Sequence, residues 1–298
     1  MHLSLVSHAD HASHFTDAAG RLPDVTMVEM NDNPDAVAVL AGAANPLETC
    51  RLAAAANRHI LIELAAFSAL GEADELGRIC NEAGVRLVIS PADRFRPAIR
   101  SVKETAAAGD LGEPGLLRIH RWQPLSNPGR ETNRDTNVSQ IAADIDLANW
   151  FYDSMPSEIY CRCGQPPDEA STPATYLQVH LGYPKGGMAL IDVAHSLPAG
   201  DGYYSLSLIG SLGAAYADQH HDMQLLYTGG KPAAVASREN SHQLLAQLEN
   251  FVASVAAQHD PGDNTLNPVH ALEVAAQAVL SMHERRAVRR NGNAYELA

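Results

Sequence analysis

Residues 34–66 read PDAVAVLAGAANPLETCRLAAAANRHILIELAA, and this stretch sets the fold class. Asp35 to Ala41 is an apolar run without polar alternation, as expected of a strand buried on both faces in a parallel sheet. Gly42 ends it. Pro46 to Asn57 is rich in Ala and Leu. Leu47, Cys50 and Ala54 recur there at helical spacing beside Arg51, which predicts an amphipathic crossover helix. His59 to Ile62 returns as a second buried strand, closing a right-handed strand-helix-strand unit.

Upstream, Leu3 to Val6 is expected as a first strand, Ala9 to Ala19 as a helix and Val25 to Met30 as a further strand-like run after Pro23. Downstream come a helix over 71–83, a strand over 85–90, the turn Arg94-Phe95-Arg96-Pro97 and a helix ending at Gly109. From Leu116 the pattern changes to alternation: Leu117 and Ile119 with Arg118, His120 and Trp122, then Leu177, Val179 and Leu181 with Tyr176, Gln178 and His180. One face of that layer is apolar and should pack on helices such as 141–152. The other, rich in Arg, His, Trp, Tyr and Gln, suits a wet contact surface. Two long helices, 241–258 and 266–286, end the chain. The expected architecture is α/β followed by α+β, with a parallel-sheet domain at 1–114 and an open-faced antiparallel-sheet domain at 115–298.

At 298 residues, with 46% hydrophobic and 19% charged residues, the chain is an ordinary globular composition with room for two domains. Its formal charge of −14, with no basic cluster, argues against nucleic acid and anionic membrane surfaces as partners. No run approaches the ~20 apolar residues of a membrane helix, and no leader pattern opens the chain, so the expected location is the cytoplasm. Cys50 and Cys80 in helices and Cys161 and Cys163 on a strand read as reduced thiols.

The stretch 34–66 also resembles the middle of the nucleotide-binding domain in the Gfo/Idh/MocA family, in which Asp35-Ala36-Val37, His59 and Glu63 fall into register. The resemblance continues through ISPADRFRPAIRSVKETAAAGDLGEPGLLRIHRW at 89–122, ADIDLANWFY at 143–152, LSLIGSLGAAY at 206–216 and the last helix. It implies a Rossmann-like domain, an open-faced sheet that pairs with another subunit, and hydride transfer between NAD or NADP and a sugar or polyol. The implied pyrophosphate glycines, however, fall on Ser7, Ala9 and Ala12, whose side chains would crowd a phosphate at the helix N-terminus. The implied lysine falls on Leu64, and the implied acid-base pair on Ser139 and Ala143. Glu63 and Asp146 survive and are the candidate catalytic groups. Asp32 stands where a ribose-binding acid could be, although an acid just before Pro34 also suits a turn.

The resemblance sets the strands at 25–30 and 35–41 parallel, on opposite sides of the first strand. Joining the end of one to the start of the other then means spanning roughly 20 Å, whereas residues 31–34 reach about 14 Å. The expectation is therefore that 25–30 turns back as an antiparallel edge or lies outside the usual sheet position, removing the half-domain that would hold adenosine.

Other constellations point elsewhere. His8, His11 and His14 at i, i+3, i+6 with Asp10 diverge around a helix, which disfavours a metal. His220-His221-Asp222 reads as a loop, and Asp144 and Asp146 as residues on different helix faces. Arg94, His120 and His180 are candidates for a small anion or a partner's loop. Three functions compete: a non-catalytic subunit without nicotinamide, in a homo-oligomer or with an active relative; an NAD(P)-dependent oxidoreductase with an atypical site; and a cofactor-free lyase or isomerase on a sugar-like substrate.

Overall fold

The structure, a computed structural model, describes all residues but 8, 41–42, 125–133, 165–175, 199–201, 219–222, 228–232, 237–238 and 258–266; residues 9–12, 134–137, 140, 196, 223–227, 233–236 and 239–241 are described in backbone only. The chain packs as two units: Met1–Arg96 with Arg238–Val269, and Pro97–Ser237 with His270–Ala298. Residues 97–114 thus group with the second unit and 238–269 with the first.

Unit one holds strands β1 (His2–Val6), β2 (Thr26–Met27), β3 (Ala36–Val39), β4 (His59–Glu63) and β5 (Leu87–Ser90), all parallel in the order β2-β1-β3-β4-β5. The helices are α1 (Ala9–Ala19), α2 (Pro46–Ala55), α3 (Leu70–Glu82) and, much later in the chain, α6 (Glu239–Ala257). Local chemistry fixes their ends. Proline is the first residue of α2, where its missing N–H costs nothing. The Glu72 carboxylate accepts the Ser68 and Ala69 N–H groups at 2.7 and 3.1 Å at the start of α3. Ala36, Val37, Ala38 and Val39 are all fully buried, as the unalternating run requires. One face of this sheet, Leu3, Ala36, Ala38, Leu61 and Val88, packs with Phe15 and Ala18 of α1 and Leu248 and Phe251 of α6.

The expectation for residues 25–30 is corrected here. The strand β2 runs parallel to β1 in the ordinary neighbouring position, with His2 opposite Thr26 and Leu3 opposite Met27. The spanning argument fails because β2 is two residues long. It ends level with Leu3, and β3 also begins level with Leu3, at Ala36. Residues 28–35 therefore cross under the start of β1 with no return along the strand. A 3₁₀ turn, Met30–Asp32, takes up the slack, and Asp35 anchors the end: its N–H donates to the His2 carbonyl at 2.8 Å while its carboxylate accepts the His2 N–H at 2.7 Å.

Unit two is a ten-stranded sheet in the order β13-β12-β11-β10-β6-β9-β8-β7-β14-β15. Its strands are β6 (Pro114–Pro124), β7 (Glu158–Cys163), β8 (Tyr176–Gly182), β9 (Met188–Leu197), β10 (Tyr203–Gly210), β11 (Ala214–Asp218), β12 (Met223–Tyr227), β13 (Ala233–Ala236), β14 (Val288–Asn291) and β15 (Ala294–Leu297). The pairing is antiparallel except at the centre, where β6 and β9 run parallel. Helices α4 (Pro97–Ala107), α5 (Arg134–Tyr152) and α7 (His270–Glu284) complete the unit. Leu117, Ile119, Ile159, Val179, Ile191, Leu206 and Leu208 are buried on one face, and α5 and α7 pack there. Lys103 of α4 donates to the last carbonyl groups of α5, 2.7 Å to Trp150, where a cation complements the helix dipole. Gly187 is required: a Cβ there would stand 2.2 Å from the Tyr152 ring, whose hydroxyl donates to the Met188 carbonyl at 2.6 Å. No helix among the described residues is long and apolar enough to cross a membrane.

Candidate functional sites

In an open parallel sheet ligands bind outside the carboxyl ends of the strands. In unit one that edge is formed by Ser7 after β1, Leu40 after β3, Glu63 at the end of β4 and Ser90 at the end of β5. Glu63 and Ser90 are register partners. Each lies two residues beyond a side chain, Leu61 and Val88, that faces α1 and α6, so alternation turns Glu63 and Ser90 to the same face. The helix α6 runs antiparallel to β5. Gln243 donates to the Ala92 carbonyl at 3.1 Å beyond the strand's end, and Arg86 before its start donates to the Ser254 hydroxyl at 3.0 Å. Gln247, one turn after Gln243 on the same helix face, is thereby level with Ser90. Both are buried, and the Ser90 hydroxyl and both ends of the Gln247 amide have no hydrogen-bond partner among the described residues. Each such group costs about 1–3 kcal/mol.

Of the positions taken from the resemblance, Ser7, Ala9, Ala12 and Leu64 follow the carboxyl ends of β1 and β4. Ala9 and Ala12 fall in the opening turns of α1. Leu64 is buried in the 3₁₀ turn that follows Glu63. Asp32 is not at this edge: it is in the turn under the amino ends of β1 and β3, the opposite side of the sheet from its carboxyl ends. Arg94 is buried in the turn Ala92–Phe95 of the same unit. His8 and His220-His221-Asp222 lie outside the described residues. Among the described residues no three His, Cys, Asp or Glu side chains converge as metal ligands.

Unit two carries a polar cluster on the helix-facing side of its sheet that alternation alone does not disclose. Arg121 follows Leu117 and Ile119 onto the apolar side of β6, and its guanidinium grips Asp144 of α5 through Nε at 2.8 Å and Nη2 at 2.7 Å. Asp144 is fully buried. The guanidinium also lies 4.7 Å from the centre of the Tyr204 ring, its cross-strand neighbour. His195 is two residues beyond the β9 partner of Arg121, and its Nε2 is buried without a partner among the described residues. Burial, and then the Arg121 charge, lower the His195 pKa, so its ring is neutral near pH 7. Asp146 is buried near Tyr183, whose hydroxyl donates to Asn149 at 3.0 Å. The signal that could have found Arg121 and Asp144 was a charge of each sign on a face otherwise apolar.

The opposite side of the sheet brings His120 and His180 into one network. His120 Nδ1 is 3.1 Å from Asp192, Gln178 donates to the other oxygen of Asp192 at 2.7 Å, and Gln178 meets His180 Nε2 at 3.1 Å. The hydrogen bond from His120 is the main cause of a lowered Asp192 pKa, so the carboxylate is ionised at neutral pH. Trp122 and Tyr176 are the large exposed rings of this face, 39% and 46% exposed.

Residues 99–216 match the family model described as the GFO/IDH/MocA C-terminal domain. The chain resembles the Gfo/Idh/MocA family. Among curated proteins it is similar to myo-inositol 2-dehydrogenase of Thermotoga maritima, 23% identical over 269 residues, 86% of this chain and 80% of that one. It is also similar to the uncharacterized oxidoreductase YrbE of Bacillus subtilis, 26% identical over 191 residues. That match covers 62% of this chain and 55% of YrbE, little more than half of that protein's length. Among solved structures, the aldose-aldose oxidoreductase of Caulobacter crescentus complexed with glycerol superposes with a TM-score of 0.83 at 15% identity, covering 97% of this chain and 99% of that one. That likeness is one of fold. The chain thus shares the two-sheet fold of that structure.

Proposed function

We propose that this chain is a Gfo/Idh/MocA oxidoreductase homologue that has lost nicotinamide binding and hydride transfer and serves as a non-catalytic subunit, joined through the open sheet face to itself or to an active relative. The observation that carries the reading is the crossing under β1. Because β2 ends level with Leu3 and the chain goes directly to β3, the acid that would meet a ribose, Asp32, belongs to the amino edge. A dinucleotide at the carboxyl edge would then not meet Asp32. It would meet Ser7, Ala9 and Ala12 where its pyrophosphate needs bare backbone. Proton transfer fares no better. The buried Leu64 side chain cannot accept a hydroxyl proton, and Asp144, next to Ala143, is already held by Arg121. Of the candidate groups, Glu63 and Asp146 remain, one in each unit. The four thiols, none in a disulfide, suit the cytoplasm.

Isothermal titration of the purified chain with NADH and with NADPH tests this. No binding is expected for either, and micromolar affinity for one would overturn the reading in favour of an oxidoreductase with an atypical cofactor site. If neither binds but the protein turns over a sugar or polyol without cofactor, the non-catalytic reading falls to a lyase or isomerase; loss of that turnover in Asp146→Asn would assign its base.

A further inference from the structure

Strands β14 and β15 form a hairpin at one edge of the second sheet, paired from Val288 with Leu297 to Asn291 with Ala294. Its loop is Gly292 and Asn293, and of these only Gly292 has a positive φ, 61°. That is a two-residue turn of type II′, with glycine at the first central position. Asn291 is therefore followed directly by glycine at a bend where both residues are exposed. The flanking residues of such a turn bond each other, which leaves the N–H of the first central residue to water. A Cβ at Gly292 would find nothing within 4 Å, so the space beside its nitrogen is open.

The hairpin is also held least at this end. Strand β14 meets β7 at Val288 and Arg289, and its last backbone bond to that side among the described residues runs from the Arg290 N–H to the Ser157 carbonyl at 2.9 Å. Beyond that bond, Asn291 and the turn stand as a two-stranded ribbon, which is marginally stable in water. Fraying there lets the Asn291 backbone rotate and bring its side-chain carbonyl carbon to the Gly292 nitrogen, a step favoured by its being intramolecular. The exposed Arg290 guanidinium, one residue earlier, favours negative charge at that nitrogen.

We propose that Asn291 is a site of spontaneous deamidation, with the Gly292 nitrogen as nucleophile, and that its isoaspartyl product opens the β14–β15 hairpin. The Gly292 nitrogen gives its proton to solvent base and attacks the Asn291 Cγ. The N–Cγ bond forms, the Cγ–Nδ2 bond breaks, and Nδ2 takes a proton from water and leaves as ammonia. Water then opens the cyclic imide at either carbonyl. Cleavage of the new N–Cγ bond gives aspartate, whereas cleavage of the original peptide bond gives isoaspartate, and neither route needs an oxidant or reductant. Aspartate preserves the turn. Isoaspartate adds a methylene to the backbone, which breaks the pairing of position 291 with Ala294 on which the register of the hairpin depends.

Incubation of the full chain in mildly alkaline buffer, followed by isoelectric focusing and peptide mapping, tests the site. The wild type is expected to accumulate a form more acidic by one charge, with aspartate and isoaspartate at position 291. Asn291→Gln, whose longer side chain closes a larger ring, should accumulate it about tenfold more slowly or not at all. Asn293→Gln should behave as wild type. A new charge that maps to another asparagine, or a position 291 that stays unmodified, overturns the site. Hydrogen exchange reads the effect on the hairpin: the amides of Tyr295 to Leu297 should exchange faster in the isoaspartyl form and at the wild-type rate in Asn291→Asp. Equal rates in all three would overturn the opening of the hairpin.

Discussion

Two buried polar clusters, one in each unit, differ in how far they are satisfied, although His195 Nε2 beside the one in unit two lacks a partner among the described residues. On the helix side of unit two, Arg121 and Asp144 satisfy each other with two short hydrogen bonds, and nearby the Tyr183 hydroxyl donates one to Asn149. At the carboxyl edge of unit one, Ser90 and Gln247 are equally buried and satisfy nothing. A closed network holds α5 against the sheet in a single arrangement, whereas orphaned groups under α6 only subtract from stability. A family scaffold can therefore be rigid in one unit and carry a residual cost in the other.

Breaking the closed network should have the largest effect. Asp144→Ala leaves the Arg121 guanidinium buried without its counter-charge and should cost about 3–5 kcal/mol in chemical denaturation, as for other severed buried pairs. A loss below about 1 kcal/mol would mean that the pair is hydrated and the contrast overstated. The opposite sign is expected in unit one. Gln247→Leu removes two orphaned polar atoms at similar volume and should raise stability by about 1 kcal/mol, read as a shift of the urea midpoint without change of slope. A destabilised variant would show that the amide finds partners in solution.

The smallest effect is one of pH. His195 has a folded pKa below its ordinary 6.5 because of burial and Arg121. The unfolded chain therefore binds its proton first as pH falls, and stability declines from about pH 6.5 downward until the folded pKa is reached. Melting curves between pH 7.5 and pH 5 should fall less steeply in His195→Gln than in wild type, and identical slopes would show that the ring is not buried in solution. Asp192 acts lower on the scale. With a pKa depressed by His120, its contribution is intact above the ordinary carboxylate range and lost only as the solution becomes more acid than that.

Much of the fold was legible because periodicity reports burial directly. The unalternating run at 36–39 and the alternation of Leu117 and Ile119 with Arg118 and His120 each became the expected strand. The parallel pairing of β6 and β9 within an otherwise antiparallel sheet was not legible, because side-chain alternation is the same in both pairings. The position of residues 25–30 was misread for a definable reason: Thr26 and Met27 alone enter the ladder, and a strand cut to two residues abolishes the distance that seemed to forbid the connection. At the candidate sites, Glu63 beside Ser90 follows from register, yet the helix that covers them comes from residues 239–257, far along the chain.

The sequence by itself determined which side chains, Leu64, Ser139 and Ala143 among them, stand at the positions that the family resemblance marks. It also determined the two-faced character of the second sheet, since period-two alternation assigns faces without reference to anything else in the chain. Only the tertiary structure decided that Asp32 belongs to the amino edge and that Arg121 meets Asp144. Those are statements about strand order and register, which depend on which segments pair across long stretches of chain rather than on any local preference.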